Sequence, residues 1–297
     1  MKLDKNEIKQ ALQFYDIEDK EYLNKCYECL DSINTEEQIN RVKEVYAILY
    51  YDETNKIQQL WKIDCKEDIF GDNCHPYITS ILVLLGHNVY LSNIKKIKFD
   101  KEQISIHKKR IKECLTRDIY ERKLDGISIR QMLWASYFIN AKIIEVGRLQ
   151  FDFNMYNPLS EEKENCIKIH IPKSDSLSIE EVKQCINDSK TLVKKYFNLE
   201  NPNYYCKSWL LSRQIRDMLD SNSNIIKFQN IFDIEEAEEC TKDILNFVFN
   251  AKQCNNYKNL REDTSLQRKI KQHLIDGKII KYRYRNFKKG DLKWMRI

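Results

Sequence analysis

One stretch decides the fold of this chain: Cys166-Ile-Lys-Ile-His-Ile-Pro172, followed by Lys173-Ser-Asp-Ser-Leu-Ser178 and then by residues 179–197. Its first part alternates apolar and polar residues, which predicts a β-strand with one apolar face. Pro172 cannot donate to a sheet ladder, so the strand ends there, and the next residues have the composition of a turn. Ser178 and Glu181 have capping-box spacing, and apolar residues then recur at helical spacing. The stretch therefore predicts a strand, a tight loop and a long helix in an α/β domain.

The loop and the helix start in this stretch are a candidate anion site. The first N–H groups of a helix have no partners within it, and the helix dipole favours a negative ligand there. Ser174, Ser176 and Ser178 add hydroxyl donors. Most strand–loop–helix junctions bind nothing, however, and Glu180 and Glu181 already place negative charge in the first turn. From these residues alone, a purely structural junction and a phosphate site are both open.

The chain divides into two parts of different periodicity. Apolar residues return at three and four positions in the first part, as at Ile8, Leu12 and Tyr15, which predicts a helical domain over residues 1–140. The period then changes to two, which predicts a mixed α/β (α+β) domain over residues 141–297. Its predicted strands are 147–153, 166–171, 204–211, 224–234 and 278–287, and its predicted helices are 178–197, 212–219, 235–251 and 264–277.

The composition restricts the cellular setting. The chain has 297 residues, of which 42% are hydrophobic, so it can bury a core. Its amino terminus lacks the pattern of a secretory signal, and its longest apolar run, residues 78–86, is much shorter than a membrane span. We therefore expect a soluble cytoplasmic protein with no membrane partner. Most of its ten cysteines lie in apolar stretches, so we expect free thiols in a reducing compartment.

Five motifs occur in a fixed order along the chain: Glu145-Val-Gly-Arg-Leu-Gln-Phe151, His170-Ile-Pro172, Cys206-Lys-Ser-Trp-Leu-Leu211, Asp220-Ser-Asn-Ser-Asn-Ile225 with Lys227-Phe-Gln229, and Thr264-Ser-Leu-Gln-Arg268. Together they resemble a bacterial family of acyltransferase domain-containing proteins. Members of that family have a helical amino-terminal domain and a divergent GNAT-like (N-acetyltransferase fold) carboxy-terminal domain. The resemblance covers about residues 117–287. It implies an acyl-CoA-dependent N-acyltransferase that transfers an acyl group, expected to be acetyl, to a small-molecule or protein amine.

The resemblance also implies where acyl-CoA binds. In GNAT proteins the central strand and the helix after it hold the pyrophosphate, and the next strand splays away to admit the pantetheine arm. Residues 166–171 would be the central strand, and residues 204–211 the splayed strand. The implied co-substrate is acetyl-CoA or another acyl-CoA, with no metal. The implied cofactor-binding residues are Ile169, Ile171, Lys173, Ser174, Asp175, Ser176, Leu177 and Ser178.

Two features of the sequence support a second hypothesis. GNAT loops contain glycine where the backbone approaches phosphate, whereas residues 173–178 contain none. The family motif around Cys206 usually has a histidine where this chain has Lys207. A catalytically inactive acyl-CoA-binding sensor or scaffold with the same fold is therefore an alternative to the enzyme.

Acyl transfer from a thioester needs an unprotonated amine, a donor for the oxyanion and a proton for the departing thiolate. His170 is the candidate base, because an unperturbed imidazole pKa lies near cellular pH. Glu145 and Asp152 are candidates to activate the amine through water, and Ser208 is the candidate proton donor to the thiolate. A hydrogen-bonded structural histidine and paired or surface carboxylates are the alternatives. The candidate substrate-binding residues, for which a solvated strand face is the alternative, are Arg148, Gln150 and Asp152.

Two further patterns have structural alternatives. Cys26-x-x-Cys29 lies in a helical segment without a second pair at metal-ligand spacing, so we expect two cysteines on a helix face and no metal site. Residues 278–297 hold eight Lys or Arg against one Asp, and Lys281-Tyr-Arg-Tyr-Arg-Asn-Phe287 alternates basic and aromatic residues. This tail could bind an acidic acceptor, the 3′-phosphate of CoA, or RNA. We favour a solvated basic edge strand and regard nucleic-acid binding as a third hypothesis.

Overall fold

The computed structural model describes residues 3–51, 56–153, 166–172, 177–200, 202–232, 235–251 and 254–286. The chain forms two compact units, Met1–Ile144 and Glu145–Ile297. The described residues of the first unit are mainly helical, and the second unit combines a mixed sheet with helices. The predicted fold class is therefore confirmed.

The first unit contains nine helices in its described residues. Side chains cap the starts of five of them, because Asp4, Asp19, Thr35, Asp100 and Ser128 each accept a hydrogen bond from a first-turn N–H group. All eight residues of the sixth helix are buried. None of the described helices is long and apolar enough to cross a bilayer. The bounds are α1 Lys5–Phe14, α2 Lys20–Ser32, α3 Glu36–Tyr50, α4 Ile57–Leu60, α5 Glu67–Phe70, α6 Ile78–Leu85, α7 His87–Ile97, α8 Lys101–Tyr120 and α9 Ile129–Ile139.

A buried histidine lies in the core of this first unit. His107 of α8 is fully buried, and its Nε2 lies 2.8 Å from the carbonyl oxygen of Ile143, to which it donates. The rings of Phe99 and Phe138 meet it edge-on, and the ring of Tyr90 stacks on it. Burial lowers the pKa of His107 to about 4, so the ring is neutral at neutral pH.

The second unit is built on a six-stranded sheet in the order β1-β2-β3-β4-β6-β5. The pair β3 and β4 is parallel, while β2–β3, β4–β6 and β5–β6 are antiparallel. The strands are β1 Ile143–Val146, β2 Leu149–Asp152, β3 Cys166–His170, β4 Asn203–Ser208, β5 Glu235–Glu239 and β6 Lys281–Asn286. The helices are α10 Ile179–Phe197, α11 Arg213–Met218, α12 Asn224–Asn230, α13 Thr241–Phe249 and α14 Ser265–Ile275, with 3₁₀ turns at Trp209–Leu211 and Tyr257–Asn259.

Helix α10, whose presence the opening stretch predicted, packs on the apolar face of this sheet. Ser178 is its N-cap and accepts from the N–H of Glu181 at 3.4 Å. The hydroxyl oxygens of Ser189 and Tyr204 are 3.0 Å apart, which joins the helix to β4. Phe197 at the end of the helix stacks on Phe153, with 3.8 Å between the ring centroids. The strand and the helix predicted from this stretch are therefore present, with α10 capped at its start and joined to the sheet through Ser189 and Phe197.

The predicted single strand over residues 147–153 is wrong, because a turn at Gly147 and Arg148 separates β1 from β2. Gly147 has φ +56°, a backbone conformation that side chains with a Cβ rarely adopt. A Cβ at this position would lie 2.6 Å from Sγ of Cys185 on α10. The backbone N–H groups of Arg148 and Leu149 hydrogen-bond to the same thiol. Contact with α10 therefore fixes the turn, which the alternating pattern concealed.

The predicted strand over residues 224–234 and helix over residues 235–251 are also wrong in type or extent. Ser223 accepts from the N–H of Ile226 and starts α12, so local capping outweighs the β-branched residues there. The sequence Glu235-Glu-Ala-Glu-Glu239 is typical of a helix, yet it forms β5, because its backbone pairs with β6. The predicted strand over residues 204–211 ends at Ser208, and a 3₁₀ turn follows.

The basic strand β6 lies inside the sheet, which corrects the expected edge position. It pairs with β4 on one side and with the acidic strand β5 on the other. The register places Glu236 opposite Arg283 and Glu239 opposite Lys281. Strand β5 thus supplies a backbone-pairing partner for the basic strand within the chain. Residues 287–297 of the tail lie outside the described residues.

Candidate functional site

The polar face of the sheet carries most of the candidate residues of β2 and β3. Side chains alternate along a strand, so Gln150 and Asp152 share one face of β2, and Lys168 and His170 share the same face of β3. The register confirms the match, because Gln150 faces His170 and Asp152 faces Lys168. Gln150 and Asp152 are each only 3% exposed. The polar face of β2 and β3 is therefore a buried cluster, and the alternative of a solvated strand face does not hold for Gln150 and Asp152.

His170 and Asp152 form the central contact of this cluster. Nε2 of His170 lies 3.2 Å from Oδ2 of Asp152. The two residues are diagonal neighbours across an antiparallel pair, a distance that long side chains can span. The His170 side chain keeps about a fifth of its surface exposed, whereas the Asp152 side chain is almost fully buried. The imidazole can thus reach a ligand while its partner is shielded from water.

Burial lowers the pKa of His170, and the cation of Lys168 adds to this effect. The Asp152 carboxylate acts in the opposite direction by stabilising the protonated ring. Because burial is the largest cause, the imidazole is neutral at neutral pH and able to accept a proton. This electrostatic state suits a general base.

Lys168 was not among the residues selected from the sequence, although the alternation placed it beside His170. Burial lowers the pKa of its ammonium group, and the nearby Lys207 of β4 lowers it further, while Asp152 raises it. Lys168 thus lies between the carboxylate of Asp152 on one neighbouring strand and Lys207 on the other. The alternation of β3 could have identified Lys168, because it puts this lysine two residues from the candidate base on the same strand face.

Glu145 forms a separate contact on β1. Its Oε2 accepts a hydrogen bond from Nε2 of Gln150 at 2.7 Å, and both residues are buried. Glu145 is therefore a paired carboxylate, one of the alternatives considered for it. Arg148 lies in the turn between β1 and β2 and not on the polar face of a strand, which corrects its expected position.

Ser208 lies at the end of β4, where its oxygen accepts from the N–H of Leu210 at 3.2 Å and caps the 3₁₀ turn. Strand alternation puts Ser208 on the opposite face from Lys207. The structure thus does not place Ser208 in the cluster around His170.

Gln229 of α12 holds the segment after Ser208 in place, a role that the sequence did not reveal. Its Nε2 donates to the carbonyl oxygens of Leu210 at 2.7 Å and of Ser212 at 3.1 Å. It is fully buried, so both hydrogen bonds are shielded from water. The motif Lys227-Phe-Gln229 thus includes a residue that holds the segment 210–212 after β4.

The candidate phosphate loop is described only in part. Lys173, Ser174, Asp175 and Ser176 lie outside the described residues. Leu177 is buried, and Oγ of Ser178 donates to the Glu180 carboxylate at 3.0 Å. Hydrogen bonds from its own backbone N–H and from Ser178 lower the pKa of Glu180, and the cations of Lys227 and Lys183 contribute. The first turn of α10 therefore carries an ionised carboxylate.

Strands β3 and β4 form the parallel pair that the resemblance implies for the central strand and the strand after it. Its register runs from Cys166 opposite Asn203 to Ile169 opposite Cys206. Beyond Cys206, β4 continues to Ser208, paired to β6. Ile169 is buried and Ile171 is half-buried. Among the side chains that the structure describes, no three His, Cys, Asp or Glu residues are grouped to hold a metal ion.

Comparison with known proteins identifies this second unit. A family model described as a GNAT-like C-terminal domain matches residues 143–284. Residues 143–284 form a GNAT-like C-terminal domain. No curated protein matches the chain.

Solved structures share the fold of the chain, including its GNAT-like domain. One is an acyltransferase in complex with decanoyl-CoA and teicoplanin, with a TM-score of 0.69 and 15% identity over 94% of this chain and 87% of that one. Another is an acyltransferase in complex with decanoyl-CoA, with a TM-score of 0.63 and 12% identity over 94% and 98%. A third is an acyltransferase mutant in complex with octanoyl-CoA, with a TM-score of 0.63 and 15% identity over 95% and 99%.

The predicted resemblance is therefore confirmed, and it locates the polar cluster within the GNAT-like domain. The cluster lies on β2 and β3, and β3 is one strand of the parallel pair that the GNAT plan assigns to the acyl-CoA site. The roles of individual residues in the GNAT-like domain stay predictions.

Proposed function

We propose that this chain is an acyl-CoA-dependent N-acyltransferase that transfers an acyl group to a primary amine on a small molecule or protein. One observation carries the proposal. A neutral, half-buried imidazole paired with a buried carboxylate lies on a strand of the parallel β3–β4 pair, in a domain whose fold is shared with acyltransferases in complex with acyl-CoA. The proposed location is the cytoplasm, which the ten free thiols of the described residues favour.

In the proposed reaction, the nitrogen of the neutral acceptor amine attacks the thioester carbonyl, and His170 accepts a proton from that nitrogen as the carbon–nitrogen bond forms. The tetrahedral intermediate collapses with cleavage of the carbon–sulfur bond, and the CoA thiolate takes up a proton. The proposed source of that proton is water, because strand alternation puts Ser208 on the opposite face of the sheet from His170. Backbone N–H groups at the end of β4 are the proposed oxyanion donors.

Two observations bear on the length of the acyl group. The sequence resemblance favours acetyl, whereas the solved acyltransferases with this fold hold decanoyl-CoA and octanoyl-CoA. We therefore include all three donors in the test. Teicoplanin in one of those complexes is a small-molecule ligand of that protein, which supports trying small-molecule amines first.

The first experiment measures binding by thermal unfolding in the presence of CoA, acetyl-CoA, octanoyl-CoA and decanoyl-CoA. A ligand that binds only the folded state adds about 2.7 kcal/mol of stability at one hundred times its dissociation constant. Sodium chloride at matched ionic strength serves as the control for non-specific anion effects. An unchanged melting temperature at millimolar concentrations of all four compounds would contradict acyl-CoA binding.

The second experiment follows release of the CoA thiol with a panel of amines. We expect His170→Gln to slow release by about 100-fold or more, the usual contribution of a general base, while CoA still stabilises the variant. Wild-type turnover that His170→Gln leaves unchanged would exclude His170 as the base.

An acyl-CoA-binding sensor or scaffold is the second candidate function. It is favoured by the lack of glycine in residues 173–178 and by Lys207 in place of the histidine of the resembled motif. Stabilisation by acyl-CoA without thiol release, across the amine panel, would support it against the enzyme. RNA binding through β6 is not proposed, because β6 lies between β4 and β5 inside the sheet and not at the edge that was expected for it.

A further inference from the structure

The contact between Asp152 and His170 determines which nitrogen of the imidazole carries hydrogen. An ionised carboxylate can only accept hydrogen bonds, so the nitrogen that faces it must donate. Oδ2 of Asp152 faces Nε2 at 3.2 Å. In the neutral ring, Nδ1 is then the unprotonated nitrogen. The sequence predicted that Asp152 contacts substrate, and its contact with the imidazole indicates a different role.

We propose that Asp152 is a positioning residue that holds His170 as the Nε2–H tautomer, so that Nδ1 is the nitrogen that takes the proton from the acceptor amine. Lys168 opposes Asp152, because its cation disfavours a charged imidazole beside it. The inference rests on the proposed function, in which His170 is the base.

The geometry of the strand pair supports this assignment. Asp152 lies directly opposite Lys168 and diagonal to His170, so one carboxylate meets both side chains. Gln150 lies opposite His170, but its amide donates to Glu145. Of the two polar side chains of β2 on this face, the structure thus turns Gln150 towards β1 and Asp152 towards β3.

The charged groups around His170 act in opposite directions. Asp152 from β2 stabilises the imidazolium, whereas Lys168 on the same strand destabilises it. Lys207 from β4 acts on Lys168, and Glu145 of β1 is joined to the cluster through Gln150. Removing Asp152 and removing Lys168 should therefore shift the pKa of His170 in opposite directions.

The test that does not depend on turnover is NMR of protein labelled with ¹⁵N-histidine. The chain has five histidines, and the His170 signals are those lost in His170→Gln. We expect the Nε2–H tautomer in the wild type. In Asp152→Asn the amide can donate to the ring, so we expect the opposite tautomer to increase and the pKa of His170 to fall. In Lys168→Met we expect that pKa to rise.

The matched control is Asp188→Asn, the same substitution on the exposed surface of α10. Asp188 accepts a hydrogen bond from the Gln184 amide at 2.7 Å and lies on a helix that packs against the apolar face of the sheet. We expect it to leave the His170 signals at their wild-type positions. A tautomer and pKa unchanged in Asp152→Asn, or shifts of the same sign in Asp152→Asn and Lys168→Met, would refute the proposal.

The kinetic readout separates this inference from the proposed function. If the wild type releases thiol, we expect Asp152→Asn to lower kcat by about 10- to 100-fold and to move the acid limb of its pH profile to lower pH. Lys168→Met should move that limb to higher pH. A merely structural role would reduce the folded fraction without moving the limb. If the wild type releases no thiol, the proposed function fails, and the NMR result still decides the role of Asp152.

Discussion

The turn at Gly147 gives the sharpest stability prediction, because the chain contains a matched control. Gly147 and Gly277 both have positive φ, +56° and +72°, so alanine at either position is held in a left-handed conformation. That strain is about 1–2 kcal/mol. The two sites differ in their surroundings: a Cβ at Gly147 would lie 2.6 Å from Sγ of Cys185, whereas a Cβ at Gly277 would meet nothing within 4 Å.

The magnitude follows from adding the steric overlap to the shared strain. Overpacking a buried contact destabilises by about 1–3 kcal/mol, so we expect Gly147→Ala to lose about 2–5 kcal/mol and Gly277→Ala about 1–2 kcal/mol. Cys185 is buried on α10, which is joined to β4 through Ser189 and stacks on Phe153 through Phe197, so the helix cannot easily move away. The difference in unfolding free energy between Gly147→Ala and Gly277→Ala measures the steric cost of the contact with Cys185.

The assay is urea denaturation of the whole chain. Hydrogen exchange of peptides from residues 143–152 is the local probe of the second unit. Cys185→Ala removes the sulfur atom that obstructs the new methyl group. We therefore expect the double variant to be about 1–3 kcal/mol more stable than the sum of the single effects predicts. Equal losses in Gly147→Ala and Gly277→Ala, or additive effects in the double variant, would refute the role of the Cys185 contact.

Three further predictions concern buried groups. His107 has a folded-state pKa of about 4, below the unfolded value of about 6.5, so its contribution to stability is present above pH 6.5 and is lost as pH falls towards 4. The loss of unfolding free energy is about 3 kcal/mol. Urea denaturation curves at a series of pH values should show a smaller loss in His107→Phe than in the wild type. Equal pH dependence in both proteins would contradict this prediction. Gln229→Leu leaves the carbonyl groups of Leu210 and Ser212 without their amide donor, and we expect a loss of about 2–4 kcal/mol with faster hydrogen exchange after β4, unlike Gln184→Leu on the surface. Iodoacetamide should label exposed Cys65 in the native protein, whereas buried Cys114 and Cys206, whose pKa burial raises to about 12, should react only after unfolding; early labelling of either would contradict the packing.

Local patterns predicted the elements whose signals lie within one segment. The strand before Pro172 and the helix starting at Ser178 were found correctly, because alternation, a proline and a cap act over a few residues. The same holds for the capping box of Thr264 and Gln267, which starts α14. The position of His170 on the polar face of its strand also followed from alternation.

Elements that depend on a distant partner were predicted wrongly. Glu235-Glu-Ala-Glu-Glu239 has the composition of a helix, and only pairing with β6, more than forty residues later, makes it a strand. The Gly147 turn depends on Cys185, and the segment after β4 is held by Gln229. A local pattern contains no information about such contacts.

The polar cluster shows the same division. Strand alternation in the sequence was sufficient to place Gln150 with Asp152 on one face and Lys168 with His170 on another. The strand register decided that these faces coincide, that Asp152 meets His170 at 3.2 Å, and that Glu145 is paired with Gln150. Periodicity is a property of one strand, whereas register depends on how two strands pair across a loop, and that pairing exists only in the folded chain.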